Sequence, residues 1–181
     1  EHEQNVSYTK TRHQIVRSAM IPKPVHEALR QQIQKEFASA YYYLSMSAYF
    51  SSQNLNGFAH WMRKQYSEEV EHGLKIYDFI IERGDRVVLE GIEKPSADFK
   101  TPLDVMTKVL EHEKKVTASI NTCYELAVKE KDYPTQIMLE WFIKEQVEEE
   151  RSAEEVINLL KMIGDAPAGL IMLDRQLAAR S

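Results

Sequence analysis

Apolar side chains recur at steps of three and four through most of the chain, the period of helices with one buried face. Leu29, Ile33, Phe37, Ala40 and Leu44 trace the first stripe and predict a helix from about Val25 to about Ser51. The polar run Ser51 to Gly57 reads as a turn. A second helix is expected from near Gly57 to Arg83, with Gly84 as its stop. No helical period crosses Asp85 to Lys100, which contains Gly91 and Pro95. Thr101, Pro102 and Asp104 then supply a cap, a first-turn proline and a first-turn acid, so a third helix starts there and reaches about Lys131. Asp132-Tyr133-Pro134 restarts a fourth helix, which ends before Gly164. Asp165 is the expected cap of a short fifth helix through about Ala179, with Leu170, Ile171, Leu173 and Leu177 as its apolar side.

Four helices of this size are each roughly 40 Å long. The two short turns make two antiparallel hairpins. The segment between them can stretch over roughly 55 Å, enough to cross the length of a bundle. The pattern predicts an all-α, four-helix bundle with one long crossover and a short fifth helix. Residues 1–24 are polar, lack a clear period and end in Pro22 and Pro24, so they read as an extended arm before a single domain over 25–181.

Some positions on the apolar stripes are not apolar. Glu36 sits among Leu29, Ile33, Ala40 and Tyr43, and Glu113 among Met106, Val109, Val116 and Ile120. A lone carboxylate is costly to bury unless it is paired, protonated or bound to a metal. No Lys or Arg shares either stripe. Glu69 and His72 share one face of the second helix at i and i+3, and Gln146 and Glu149 share one face of the fourth. These positions repeat: adding 77 to 36, 69 and 72 gives 113, 146 and 149. Single glutamates on such stripes are usually boundary residues whose heads reach water. Four registered polar positions on four stripes are far harder to explain as solvated faces. Carboxylates with one imidazole suit Fe(II), Mn(II) or Zn(II) rather than a soft thiolate metal. Four carboxylates balance two divalent ions, with Glu69 as the natural bridge.

At these residues the chain resembles a ferritin, and is most similar to the bacterial non-haem ferritins. The resemblance runs from about Val25 to Ala179 and is carried by Gln34–Tyr43 (QKEFASAYYY), Ser67–His72 (SEEVEH), Asp132–Thr135 (DYPT) and Glu145–Glu150 (EQVEEE). It implies a first iron site of Glu36, Glu69 and His72, and a second of Glu69, Glu113 and Glu149 with Gln146 beside it. It further implies a weaker third site at Glu68, Glu145 and Glu148, and a tyrosine, Tyr43, next to the iron pair. Ferroxidase activity with dioxygen or hydrogen peroxide, mineral storage and a shell of 24 copies follow from the same resemblance, with the fifth helix packed against symmetry mates. Val70 occupies the haem-ligating methionine position of bacterioferritin, and Gln146 with Glu149 replaces its second Glu-x-x-His. A haem-free chain is therefore expected. The acidic positions of the three-fold pores in animal ferritins fall at Gln136 and Leu139.

Composition narrows the alternatives. Twenty-eight acidic against 23 basic side chains give a net charge of −5, a poor basis for nucleic-acid binding. No apolar run is long enough for a membrane span. The single cysteine, Cys123, excludes an intrachain disulfide and a four-cysteine electron-transfer domain, which argues against a rubrerythrin-like peroxidase. A shell subunit with a silent centre would lack ligands, and none is missing. The fifth helix argues against a DNA-protecting miniferritin. Cytoplasm is the expected location; organellar or exported locations stay open because the chain starts at Glu1 rather than methionine.

Overall fold

A computed structural model describes residues 20–179. It contains five helices: α1 (Lys23–Ser52), α2 (Asn56–Glu82), α3 (Pro102–Lys129), α4 (Tyr133–Ile163) and α5 (Pro167–Leu177). There is no strand among the described residues. The first nineteen residues of the expected arm lie outside them.

The helix boundaries follow local chemistry, with two corrections. α1 begins two residues before its apolar period predicts: Lys23 and Pro24 are already helical, because a proline in the first turn lacks only an N–H that would have no intrahelical partner. The non-helical lead therefore ends at Pro22, and Ile21 is buried in the core. α5 is not capped by Asp165. Its N-cap is Ala166, and Pro167 sets the first turn. α3 starts as expected, with Thr101 Oγ1 accepting from the Asp104 backbone N–H at 3.1 Å. Gly84 and Gly164 take φ values of +80° and +57° just past α2 and α4, a conformation that costs glycine least.

α1 packs on α2, α3 on α4, and α1 on α3. Residues 83–101 form the crossover and run along α1. Arg30 donates to the Val88 carbonyl, Gln34 to the Gly91 carbonyl and Ser45 to the Ser96 carbonyl. The long connection is thus tied to the bundle along α1 through three of its backbone carbonyls, without secondary structure of its own. At the other hairpin, Arg83 Nη1 lies 2.9 Å from Asp132 Oδ1, joining the end of α2 to the start of α4.

The apolar core is in two parts. One, at the end that carries α5, includes Met46, Phe50, Phe58, Met62, Met106 and Ile157. The other includes Leu29, Ile33, Ile76, Ile80, Ile120 and Leu139. Each long helix contributes to both parts and carries its buried glutamates between them.

α5 differs from expectation in what it packs against. Leu173 and Leu177 are buried within the same chain, and Leu170 lies against the same cluster. Ile171 and Met172 face outward. The helix is a lid on its own bundle before it is anything to a neighbour.

Candidate metal centre

The layer between the two apolar parts contains Glu36, Glu69, His72, Glu113, Gln146 and Glu149, all buried. One face of each long helix supplies it, as the 77-residue register requires. Ligand atoms of Glu36, Glu69 and His72 lie within 4.8 Å of one another, and so do those of His72, Glu145 and Glu149. His72 Nδ1 is 3.6 Å from Glu69 Oε2. Two donors each about 2.1 Å from one ion stand at most about 4.2 Å apart, so this spacing suits a shared ion. The His72 ring is braced edge-on by Trp141 and Phe142, with centroids 5.4 and 5.8 Å away.

The carboxylates are not equally satisfied. Glu113 is held at both oxygens: the Tyr43 hydroxyl donates to Oε1, and Gln146 Nε2 donates to Oε2 at 3.1 Å. Glu149 Oε2 accepts from Gln65 Nε2 at 2.7 Å. Glu36 Oε1 accepts from Gln32 Nε2 at 2.7 Å. Glu36 Oε2 and Glu69 Oε2 are buried and reached by no N–H or hydroxyl donor, which leaves each of these oxygens only the other carboxyl as a hydrogen-bond partner. Such orphaned acceptors are rare and costly in a folded interior. A cation between them removes the cost, so the donor set fits one or two hard divalent ions.

Electrostatics agree with that reading of the donors. Burial, then the neighbouring Glu36 and Glu113, hold the Glu69 carboxyl well above the ordinary carboxylate range. Burial pushes Glu113 up to about 7 against the restraint of its hydrogen bonds from Tyr43 and Gln146. Burial likewise raises the Tyr43 phenol, which keeps its proton for Glu113.

The expected third cluster is split. Glu145 reaches His72 and Glu149, whereas Glu148 is exposed and accepts from Arg151 instead. Glu68 is half-buried on α2 and does not join a group of three ligands. Gln136 donates to the Ala127 carbonyl, and Leu139 is fully buried in the core, so neither side chain is free to line a pore. Gln32 and Gln65 belong to the layer and are absent from the sequence expectation. Each precedes a site glutamate by one turn (32 to 36, 65 to 69) on the same apolar face, which is the signal that identifies them.

A four-helix bundle whose core is interrupted by carboxylates and a histidine defines the class as a ferritin-like carboxylate bundle. A family model described as a ferritin-like domain matches residues 26–163, and the chain belongs to that family. Its relatives include the bacterial non-heme ferritin of Bacteroides fragilis (strain 638R), 40% identical over 161 residues, which span 89% of this chain and 100% of that protein. A bacterial non-heme ferritin of Staphylococcus epidermidis is 39% identical over 162 residues, 90% of this chain and 98% of the relative. Among solved structures, the open-pore ferritin of the hyperthermophilic archaeon Archaeoglobus fulgidus is 44% identical with a TM-score of 0.88, covering 89% of this chain and 98% of that one. A closed form engineered from it by site-directed mutagenesis is 45% identical with a TM-score of 0.87 over the same shares.

Proposed function

We propose that the chain is a ferroxidase and iron-storage subunit that oxidises Fe(II) at a two-metal centre and holds the ferric product inside a shell of 24 copies. In this reading Glu36, Glu69 and His72 bind the first Fe(II). Glu69 bridges to a second Fe(II) held by Glu113 and Glu149, with Gln146 beside it. Each Fe(II) gives up one electron. Together they reduce dioxygen to hydrogen peroxide, or hydrogen peroxide to water, without releasing a one-electron oxygen radical. Tyr43 orients Glu113. Glu145 receives iron leaving the pair, with Glu68 and Glu148 completing a weaker third position. No haem takes part, since Val70 offers no thioether. The ferritin-like domain performs the chemistry. Cytoplasm is its proposed location.

The observation that carries this reading is the clustering of Glu36, Glu69 and His72 in a layer shared by four helices, with Glu36 Oε2 and Glu69 Oε2 both buried and reached by no N–H or hydroxyl donor. Aerobic addition of Fe(II) to the purified protein tests it. The expected result is a fast rise in ferric absorbance that saturates at two irons per chain, followed by slower uptake into a particle far larger than one 21.1 kDa chain. Oxidation no faster than in buffer would refute it.

A further inference from the structure

The two oxygens of Glu36 have unlike surroundings. Oε2 is buried and reached by no N–H or hydroxyl donor, whereas Oε1 accepts from Gln32 one turn earlier on α1; the carboxylate as a whole lies beside Glu69 and His72. Gln32 is fully buried, and its own contacts lead outward. Its amide oxygen accepts from Ser119 Oγ on α3 at 2.5 Å, and Ser119 Oγ accepts from Lys35 Nζ at 2.6 Å. Lys35 is exposed. Every donor in this chain points inward, from ammonium to hydroxyl to amide to carboxylate.

The direction follows from donor chemistry. An ammonium only donates, so Ser119 accepts from Lys35 and its single O–H is left to donate to Gln32. That places the Gln32 carbonyl outward and its NH2 toward Glu36. The lysine thus sets which end of a buried amide meets the carboxylate. The register shows that an amide one turn before the carboxylate on the same helix, donating to it, belongs to Glu36 and not to its counterpart Glu113. Adding 77 to 32 gives Val109, so Glu113 has no equivalent amide and is held by Tyr43 and Gln146 instead.

We propose that Gln32 is a positioning residue for Glu36, locked in its donating orientation by Ser119 and Lys35, and that it orients the Glu36 carboxylate for the first ion with Oε2 left free to bind it. This rests on the two-metal reading above. With Oε1 engaged by Gln32, the carboxylate would meet the first ion already oriented, and Oε2 is the oxygen left without a partner. Partners of this kind, outside the ligands themselves, usually change metal affinity about 10- to 100-fold when removed.

Anaerobic titration of the full-length protein with Co(II) tests the proposal, because the visible Co(II) bands report coordination without any oxidation step. Gln32→Met should weaken the first Co(II) about tenfold or more and shift its bands, with the second Co(II) changed less. Ser119→Ala should show a smaller weakening in the same direction, and Ser119→Thr, which keeps the hydroxyl, should behave as the wild type. If Gln32→Met lowers only the melting temperature and leaves the first Co(II) affinity and bands unchanged, Gln32 merely fills the core and the proposal is overturned. A Ser119→Thr protein as impaired as Ser119→Ala overturns it too, since packing rather than the hydroxyl then matters. Should Gln32→Met fail to fold, the Ser119 pair decides. A wild-type protein that takes up no Co(II) would instead overturn the two-metal reading, and the positioning role with it.

Discussion

Asp174 on α5 caps the N-terminus of α2: its Oδ1 accepts from the Phe58 backbone N–H at 3.0 Å. The first N–H groups of a helix have no intrahelical partner, and a carboxylate there also meets the positive end of the helix dipole. The neighbouring Gly57 makes the approach possible, since a Cβ at that position would lie 1.6 Å from the Asp174 carbonyl oxygen. That obstacle is backbone and cannot swing aside.

Two substitutions should therefore act on α5 from different sides. Asp174→Ala should cost about 1 kcal/mol through the lost cap. Gly57→Ala should cost more, because α5 must withdraw and uncover Leu173 and Leu177. Thermal melts of both variants measure the difference, and dye binding to exposed apolar surface should rise for Gly57→Ala. Equal melting temperatures for Gly57→Ala and the wild type would show that α5 is not seated as described.

Removing Glu69 or His72 should abolish fast Fe(II) oxidation while leaving the helices intact. Glu69 faces three other carboxylates and carries an oxygen without a donor. Glu69→Gln, which keeps the volume and removes the ionisable group, should leave the metal-free protein as stable as the wild type or more so, with the gain growing as pH rises, because the wild type must either keep this carboxyl protonated or bury a charge among three carboxylates. Stopped-flow oxidation at the wild-type rate in Glu69→Ala would refute the bridging role.

Stability of the metal-free protein should fall as pH rises. Glu113 titrates at about 7 in the fold against an ordinary 4.5, chiefly because it is buried. A raised carboxyl favours the folded state while protonated. Its contribution is complete below about pH 4.5 and is lost as pH rises through about 7. Metal-free melting temperatures should drop by at least about 2 °C between pH 5 and pH 8, and Glu113→Gln should flatten that slope. Divalent ions should reverse it, since they replace the protons.

Much of this was legible along the chain, and the reasons for the rest are specific. The 77-residue register predicted which polar positions enter the buried layer, because burial of carboxylates on an apolar stripe admits few explanations. Gln32 and Gln65 are not legible in the sequence because glutamine is uncharged and common on helix surfaces, so its presence on a stripe carries little information. α5 was predicted as a helix, but its stripe is ambiguous: Leu170, Leu173 and Leu177 are one set at helical spacing, and Ile171 extends the apolar surface to the side. Only the close approach at Gly57 decides that the leucines face inward, and that contact joins positions more than a hundred residues apart. Asp165 looked like a cap by residue type, yet Pro167 fixes the first turn so that Ala166 takes the cap position.

The geometry also separates three acids that sequence position groups together. Glu145 is half-buried, with a carboxylate oxygen within 4.8 Å of ligand atoms of both His72 and Glu149. Glu148, one turn on, points to solvent and accepts from Arg151. An exposed pair of this kind is worth little in stability, about 0–1 kcal/mol, but it does compete for the carboxylate. The consequence is an asymmetry between two neighbouring substitutions. Glu145→Ala should keep fast oxidation of the first two irons per chain, because Glu36, Glu69, His72, Glu113 and Glu149 remain. It should slow later turnover and remove one weak site from an anaerobic Fe(II) titration. Glu148→Ala should do markedly less, and Arg151→Ala, which frees Glu148, should strengthen the weak site if Glu148 then turns inward to join it. Equal effects of Glu145→Ala and Glu148→Ala on the weak site would mean that the Arg151 contact does not hold Glu148 away. No effect of either would return both acids to an ordinary solvated face.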